Sequence, residues 1–182
     1  EAPEVSQADG RLPTGKVRSA EESAMTIANR LYEFLKARGS DYTLLSHPHT
    51  ESSMETAESA KVPGDALAKG VVLRDPKGLL LVVVPSDYHI ELDTLNERLD
   101  RTLSFVAEEE LAKIFPDCEP GAVPAIGAAY SLPTLWDPDS SLGAQDYLYF
   151  EAGDHTTVVR VSSAHFRELM TDAQQAHFSH HI

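Results

Sequence analysis

Three features of the sequence predict an α/β chain of the α+β kind, with a mixed, mostly antiparallel sheet and helices packed around it. Ala68-Lys69-Gly70-Val71-Val72-Leu73 and Leu79 to Pro85 read as strands joined by the hairpin punctuation Asp75-Pro76-Lys77-Gly78. Tyr147 to Phe150 and Thr156 to Val161 read as a second pair, joined by the tight connection Glu151-Ala152-Gly153-Asp154-His155. Strands also outnumber helices, and several follow one another directly, which argues against a doubly wound sheet. The chain contains no internal repeat.

Taken in order, residues Glu1 to Ser19 mix Pro, Gly and charged groups with little apolar periodicity, and are expected to form a mobile leader. Helical order is expected from near Glu21, where Ile27, Leu31, Phe34 and Leu35 make an apolar stripe that Gly39 stops. Tyr42 to Ser46 reads as a short strand, leading to His47-Pro48-His49-Thr50. Ser52 and Glu55 have the spacing of a capping box at the head of a helix carrying Met54, Ala57 and Ala60, which ends before Pro63. The run Leu79 to Val84 is apolar enough to be buried on both faces. Leu92, Leu95 and Leu99 mark a further helix, with Thr94 and Glu97 as a second candidate capping box. Leu103 to Val106 reads as a short strand. Glu108, Glu109 and Glu110 open a helix bearing Leu111, Ile114 and Phe115, the acids standing at the positive end of its dipole. Ala129 to Leu132 and Thr134 to Trp136 read as extended, and Asp137 to Gly143 as a turn. Ser163 caps a last helix with Phe166, Leu169 and Met170, before a tail holding His177, His180 and His181. The expected organisation is a leader over 1–19, one domain over 20–170 and a His-containing tail over 171–182.

The 182 residues carry 15 Lys and Arg against 29 Asp and Glu, a formal charge of −14. This balance speaks against broad, non-specific nucleic-acid binding, which draws on many cations. Lys61, Lys69, Arg74 and Lys77 form the one interval where a few phosphates could be received. The single Cys118 excludes an internal disulfide framework and a multi-cysteine zinc site. It suits a reducing compartment, so a cytoplasmic location is expected. The longest apolar run, Leu79 to Val84, is too short to cross a bilayer as a helix, and no membrane association is expected.

The segment from Pro116 to Gly127 packs three prolines and two glycines into twelve positions, a shaped loop rather than a linker. It reads either as a rigid turn capping a core or as a binding loop. No Gly-x-Ser-x-Gly elbow or phosphate-cradling Gly-rich loop is present, which disfavours serine and nucleotide hydrolases. Cys118 in its proline turn reads as an incidental thiol. His47, His49 and the tail histidines lack a trusted ligand spacing, so neither a metal nor another cofactor is expected. Lys69 stands inside an apolar segment, where a lysine is usually a solvated edge residue. Open space beside Gly70 would instead let its ammonium serve as a point charge for a phosphate or a developing oxyanion. His155, in a Gly-Asp-His turn, can offer a hydrogen bond or a proton. The turn at Thr50 to Ser53 exposes the unpaired N–H groups of a helix start, suited to an anion or only to its own cap.

Lys69 in its strand, the loop from Phe115 to Pro124 and Tyr149 to Thr157 resemble, in order and spacing, the YbaK/prolyl-tRNA-synthetase-associated domain family over roughly residues 25 to 170. The resemblance implies a mixed sheet curled into a barrel-like core, and an aminoacyl-tRNA deacylase that hydrolyses the ester of mischarged tRNA carrying a small amino acid. By that resemblance Lys69 orients the terminal adenosine and ester; His155, in the Gly-Asp-His turn, is expected to be the second catalytic residue through a supporting hydrogen bond. Gly121, Val123 and Pro124 shape the aminoacyl pocket, with Gly153 and Asp154 beside it. Thr50 matches a threonine that often follows the first strand. Many members continue the loop with a second proline, whereas this chain has Pro124-Ala125-Ile126-Gly127, which implies a pocket at least as roomy. The implied partner is the acceptor end of tRNA, delivered by a synthetase or a fused regulatory domain. The alternative implied is a catalytically idle binding module of the same fold within a larger protein.

Overall fold

In the computed structural model, residues 27–50, 52–176 and 179–181 are described. The leader expected over 1–19 and the helix start expected near Glu21 lie outside them. The elements run α1 (Asn29–Ala37), β1 (Thr43–Ser46), α2 (Ser53–Ala60), β2 (Leu67–Asp75), β3 (Gly78–Pro85), β4 (Tyr88–Ile90), α3 (Leu92–Leu99), β5 (Ser104–Phe105) and α4 (Glu108–Ile114). They continue with a 3-10 turn (Gly127–Tyr130), β6 (Thr134–Trp136), a second 3-10 turn (Ser141–Ala144), β7 (Tyr147–Glu151), β8 (Thr157–Ser162), α5 (Ser163–Leu169), β9 (Gln174–Gln175) and β10 (Ser179–His181).

Seven strands form one path, β1-β8-β7-β2-β3-β6-β9, with β5 attached to β2. Five pairings are antiparallel, β1 with β8, β2 with β3, β2 with β5, β7 with β8 and β4 with β10, and three are parallel. The sheet is therefore mixed and mostly antiparallel. The path ends at β1 and β9 without joining them, so the sheet is open rather than closed into a barrel. The β2–β3 hairpin holds eight residue pairs, from Ala68↔Pro85 to Asp75↔Gly78. All of β3 from Leu80 to Pro85 is buried, as its unbroken apolar run requires when both faces are covered.

Strand alternation sorts the sheet into two faces. Ala68 and Val72 of β2 join the main core with Leu31 and Leu35 of α1 and Phe166 and Leu169 of α5. Leu73 meets Leu95 of α3 on the other face, and Leu67 meets Ala57 of α2 there. Each fully buried leucine is worth about 1.5–3 kcal/mol relative to exposure. Helices α1 and α5 thus cover one face, and α2 and α3 the other.

Local signals explain most boundaries. Gly39, at φ 59°, ends α1 as expected, and Ser52 Oγ accepts from Glu55 N at 3.2 Å as a capping box predicts. Thr94 does not cap α3: the helix starts at Leu92, and the Thr94 hydroxyl donates to Glu91 Oε2 at 3.2 Å from inside the first turn. Ser162 rather than Ser163 caps α5, accepting from His165 N. Ala129 and Tyr130, expected to be extended, lie in a 3-10 turn because Leu132 N bonds back to Gly127 O. The tail adds β9 to the sheet and pairs β10 with β4, contacts its polar sequence does not advertise.

Candidate functional site

One edge of β2 carries two partners with a gap between them. Leu67 and Ala68 pair with β7, Leu73 and Arg74 pair with β5, and Val72 O accepts from Val106 N. Residues 69–71 lie in the window between these pairings. The loop expected from its prolines and glycines fills that window from the main-core side. Glu119 N donates to Gly153 O at 2.8 Å, which ties the loop to the end of β7. A Cβ at Gly70 would lie 3.3 Å from both Pro124 O and Val123 Cγ1, and 3.1 Å from Leu81 Cδ1. The expectation of open space beside Gly70 is thus corrected: the missing side chain makes room for the loop itself.

The turn after β7 is tied to the same loop. His155 takes a left-handed φ of 58°, and its Nε2 donates to Pro120 O at 2.5 Å. That bond fixes the protonated nitrogen and leaves Nδ1 as the ring's acceptor. The ring rests against Gly121, whose φ of 81° favours glycine, while the space there would admit a Cβ at ordinary contact distance. Thr50 N donates to His155 O and His47 N to Thr156 O, so the segment after β1 is stitched to the same turn. The His49 ring stands 5.3 Å from that of His155, and His49 Nε2 is 3.6 Å from Glu119 Oε2.

A model of the aminoacyl-tRNA editing domain matches residues 47–169, which span the window, its loop and the His155 turn. The chain belongs to the aminoacyl-tRNA editing domain family. No curated protein matches it. Among solved structures, this editing domain resembles a candidate trans-editing enzyme for prolyl-tRNA synthetase at 23% identity and a TM-score of 0.71, covering 84% of this chain and 96% of that one. The hypothetical protein APE2540 is similar at 21% identity and a TM-score of 0.70, over 84% and 100% of the two chains. A candidate signal-transduction protein from Marinobacter aquaeolei VT8 matches at 21% identity and a TM-score of 0.59, over 65% of this chain and 26% of its own. At these identities the likeness is one of fold.

The editing domain brings His155, Thr50, Gly121 and Gly153 together around the loop, with Val123 and Pro124 against Gly70. A Cβ at Gly153 would come within 2.9 Å of Ala28 Cβ and 3.1 Å of Cys118 Sγ, so only glycine fits there. Asp154 is occupied locally, Oδ1 accepting from Thr156 N and Oδ2 from Thr157 Oγ1, both at 3.0 Å. Lys69 stands on the opposite face from Gly70 by strand alternation, and its Nζ donates to Tyr88 O at 3.1 Å. Burial lowers its pKa, and the Asp87 carboxylate partly offsets this. The window therefore has the loop on one side and Lys69 on the other. Ala125 and Ile126 are buried in the main core beneath the loop.

A polar chain inside the domain escaped the sequence reading. Glu151, 6% exposed, accepts at Oε1 from Thr56 Oγ1 at 2.8 Å, and Thr56 Oγ1 is 2.6 Å from Thr50 Oγ1. Among the described residues Glu151 Oε2 is buried without a hydrogen-bond partner. Burial raises the Glu151 pKa, and the Thr56 hydrogen bond opposes this. The one available signal was an acid ending the apolar strand Tyr147-Leu148-Tyr149-Phe150. His47 is similarly buried, which lowers its pKa, and its Nδ1 donates to Pro48 O at 2.7 Å. Burial, as the main cause, pushes the Cys118 thiol up to about 12, which disfavours the thiolate a nucleophile needs. Among the described residues no three His, Cys, Asp or Glu side chains converge to hold a metal ion. No helix among them is long and apolar enough to cross a membrane.

Proposed function

We propose that this editing domain hydrolyses the ester of mischarged aminoacyl-tRNA carrying a small amino acid, with Lys69 orienting the acceptor end. The observation that carries the reading is the window in β2, with Lys69 on one face and on the other the Gly121–Pro124 loop to which His155 is bonded, within the stretch that matches the family model. The ester carbonyl would sit at the open edge of β2 between its two flanking pairings, with the terminal ribose against Lys69. Water attacks the carbonyl carbon, the C–O bond to the ribose breaks, the amino acid leaves as its carboxylate and the ribose hydroxyl regains a proton. His155 Nδ1 is the acceptor nitrogen on hand for the water's proton, and Nε2 stays on Pro120 O. The ester is already labile, so positioning with one oxyanion contact need supply only about 4–5 kcal/mol, roughly a thousandfold. Neither a covalent nucleophile nor a cofactor is required.

Gly121, Val123 and Pro124 would then select by shape. One methylene in an apolar pocket is worth about 1–3 kcal/mol, so several small aminoacyl groups would be accepted and bulky ones rejected. Delivery by a synthetase or a fused domain would reconcile the acidic chain with a tRNA substrate.

A panel of tRNAs mischarged with Ala, Cys, Ser and Thr, followed for ester loss, tests the reading. The wild type should deacylate at least one. Lys69→Ala should lose about 10²–10³ of the rate with the fold retained, and His155→Ala should lose less. A Lys69→Ala protein with near-normal turnover would remove Lys69 from its role. A second reading, a catalytically idle binding module, is favoured by one contact: Lys69 Nζ already donates to Tyr88 O. Binding of an aminoacyl-adenosine without hydrolysis of any panel member would select it.

A further inference from the structure

Arg160, with no carboxylate partner among the described residues, stands at a second place on the sheet. In β8 it lies between Thr43 of β1 and Tyr149 of β7, and its guanidinium carbon sits 3.8 Å from the ring centre of Tyr147. Its Nε is buried with no hydrogen-bond partner, and no carboxylate among the described residues pairs with it. The pair faces a hollow of about 440 Å³ that Tyr42, Thr43 and Ser162 also line, with Asp41 as its one acid. Tyr147 is 48% exposed there. In a chain of formal charge −14, a guanidinium that is stacked, partly desolvated and, among the described residues, not neutralised is a built anion receptor. The exposed tyrosine beside it adds a surface on which a base can stack.

Its place gives the ligand. Arg160 shares a face of β8 with Val158, which packs with Leu67 of β2, and Leu67 shares a face with Lys69. By register, Leu67, Tyr149 and Arg160 form one row across three strands. Two strand spacings across and two residues along put Arg160 about 12 Å from Lys69, Cα to Cα. That is a span of a few nucleotides. We infer that the Arg160–Tyr147 hollow binds a phosphodiester of the single-stranded 3′ acceptor strand, upstream of the esterified adenosine held near Lys69. The inference rests on the deacylase reading above and names a subsite for that same substrate.

Two measurements test it. The first is deacylation of the mischarged tRNA and of the matching aminoacyl-adenosine, which lacks every upstream phosphate. Arg160→Gln should raise KM for the tRNA about tenfold, the loss of one charge-assisted contact, with kcat unchanged and the aminoacyl-adenosine unaffected. Arg160→Lys should recover part of the loss, and Tyr147→Ala should raise KM for the tRNA alone. The second is fluorescence anisotropy of a labelled, uncharged single-stranded oligonucleotide with the tRNA 3′ sequence, which needs no hydrolysis. Arg160→Gln should weaken its binding by a similar factor. Unchanged tRNA kinetics in Arg160→Gln, or equal losses on both substrates, would overturn the subsite and leave the deacylase reading standing. A wild type that hydrolyses nothing yet loses oligonucleotide binding in Arg160→Gln would overturn the deacylase reading and leave the subsite standing. Displacement of the oligonucleotide by inorganic phosphate at equal concentration would assign the hollow to free anions and overturn the acceptor-strand assignment.

Discussion

A carboxylate inside an apolar strand must be satisfied by its surroundings, and at Glu151, among the described residues, only one oxygen is: Oε1 takes the Thr56 hydroxyl, while Oε2 is buried without a hydrogen-bond partner. Burial is the dominant cause of its raised pKa. The folded state therefore binds the proton more tightly than the unfolded chain. Stability is greatest with the acid protonated, and falls as pH rises from the ordinary carboxylate range through the raised folded value. Glu151→Gln keeps an oxygen for Thr56 and removes the charge. It should raise Tm at pH 8 and give no gain near pH 4, where the wild type is also neutral; thermal melts at the two pH values check this, and a gain of equal size at both would show that the charge is not the cause. This residue was hardly legible in the sequence, because its partner Thr56 lies 95 residues away. Gly70 was legible as a special position but not for its reason. Whether a missing side chain admits a ligand or a loop is decided by Val123 and Pro124, which reach it only through the tertiary fold.

Elements were most legible where local chemistry decides them. The β2–β3 hairpin follows from its turn residues and from an apolar run that must be covered, and α1 from its leucine stripe. The hairpin's end is held by a contact that no local pattern announces. Arg101, just beyond α3, meets Asp75 with two parallel bonds, Nη2 to Oδ1 at 2.6 Å and Nε to Oδ2 at 2.7 Å. The hydrogen bond from Arg101, ahead of other effects, lowers the Asp75 pKa to about 2. A lowered carboxylate contributes stability above its unfolded pKa and loses it as pH falls through the folded value. Arg101→Gln should accordingly lower the urea midpoint at pH 7, with the deficit shrinking toward pH 2. A deficit that persisted undiminished at pH 2 would assign the effect to packing of the arginine stem. The strands β4, β9 and β10 were illegible for the opposite reason: they are two or three residues long, and pairing with distant partners rather than propensity makes them strands.

At the scale of the molecule, the family and the fold class were readable because Lys69, the proline loop and the Gly-Asp-His turn keep their order along the chain. Closure of the sheet was not, since the way the path ends depends on how β1 and β9 lie, and β9 has only two residues to show for it.

Charge is also a property of the whole chain, and it bears on how tRNA is engaged. A formal charge of −14 repels a polyanion everywhere except where a cation is left unneutralised. Arg74 is engaged by Glu110 and Arg101 by Asp75, so these two cations are already matched by carboxylates and offer little to phosphate. Binding should then rest on the 3′ end alone. Each phosphate of a single strand that is neutralised contributes roughly −0.7 to the slope of log affinity against log salt. Contact with two or three phosphates predicts a slope of roughly −1.4 to −2.1, shallow for a tRNA-binding protein. Measuring 1/KM for a mischarged tRNA from 50 to 300 mM salt gives the slope directly. A value steeper than about −4 would mean that six or more phosphates are neutralised, and that an extended surface of the chain engages the tRNA body. If the slope is shallow, long-range attraction is missing from the encounter, and a partner synthetase that holds the tRNA should lower KM by raising the local concentration of the acceptor end while leaving kcat unchanged.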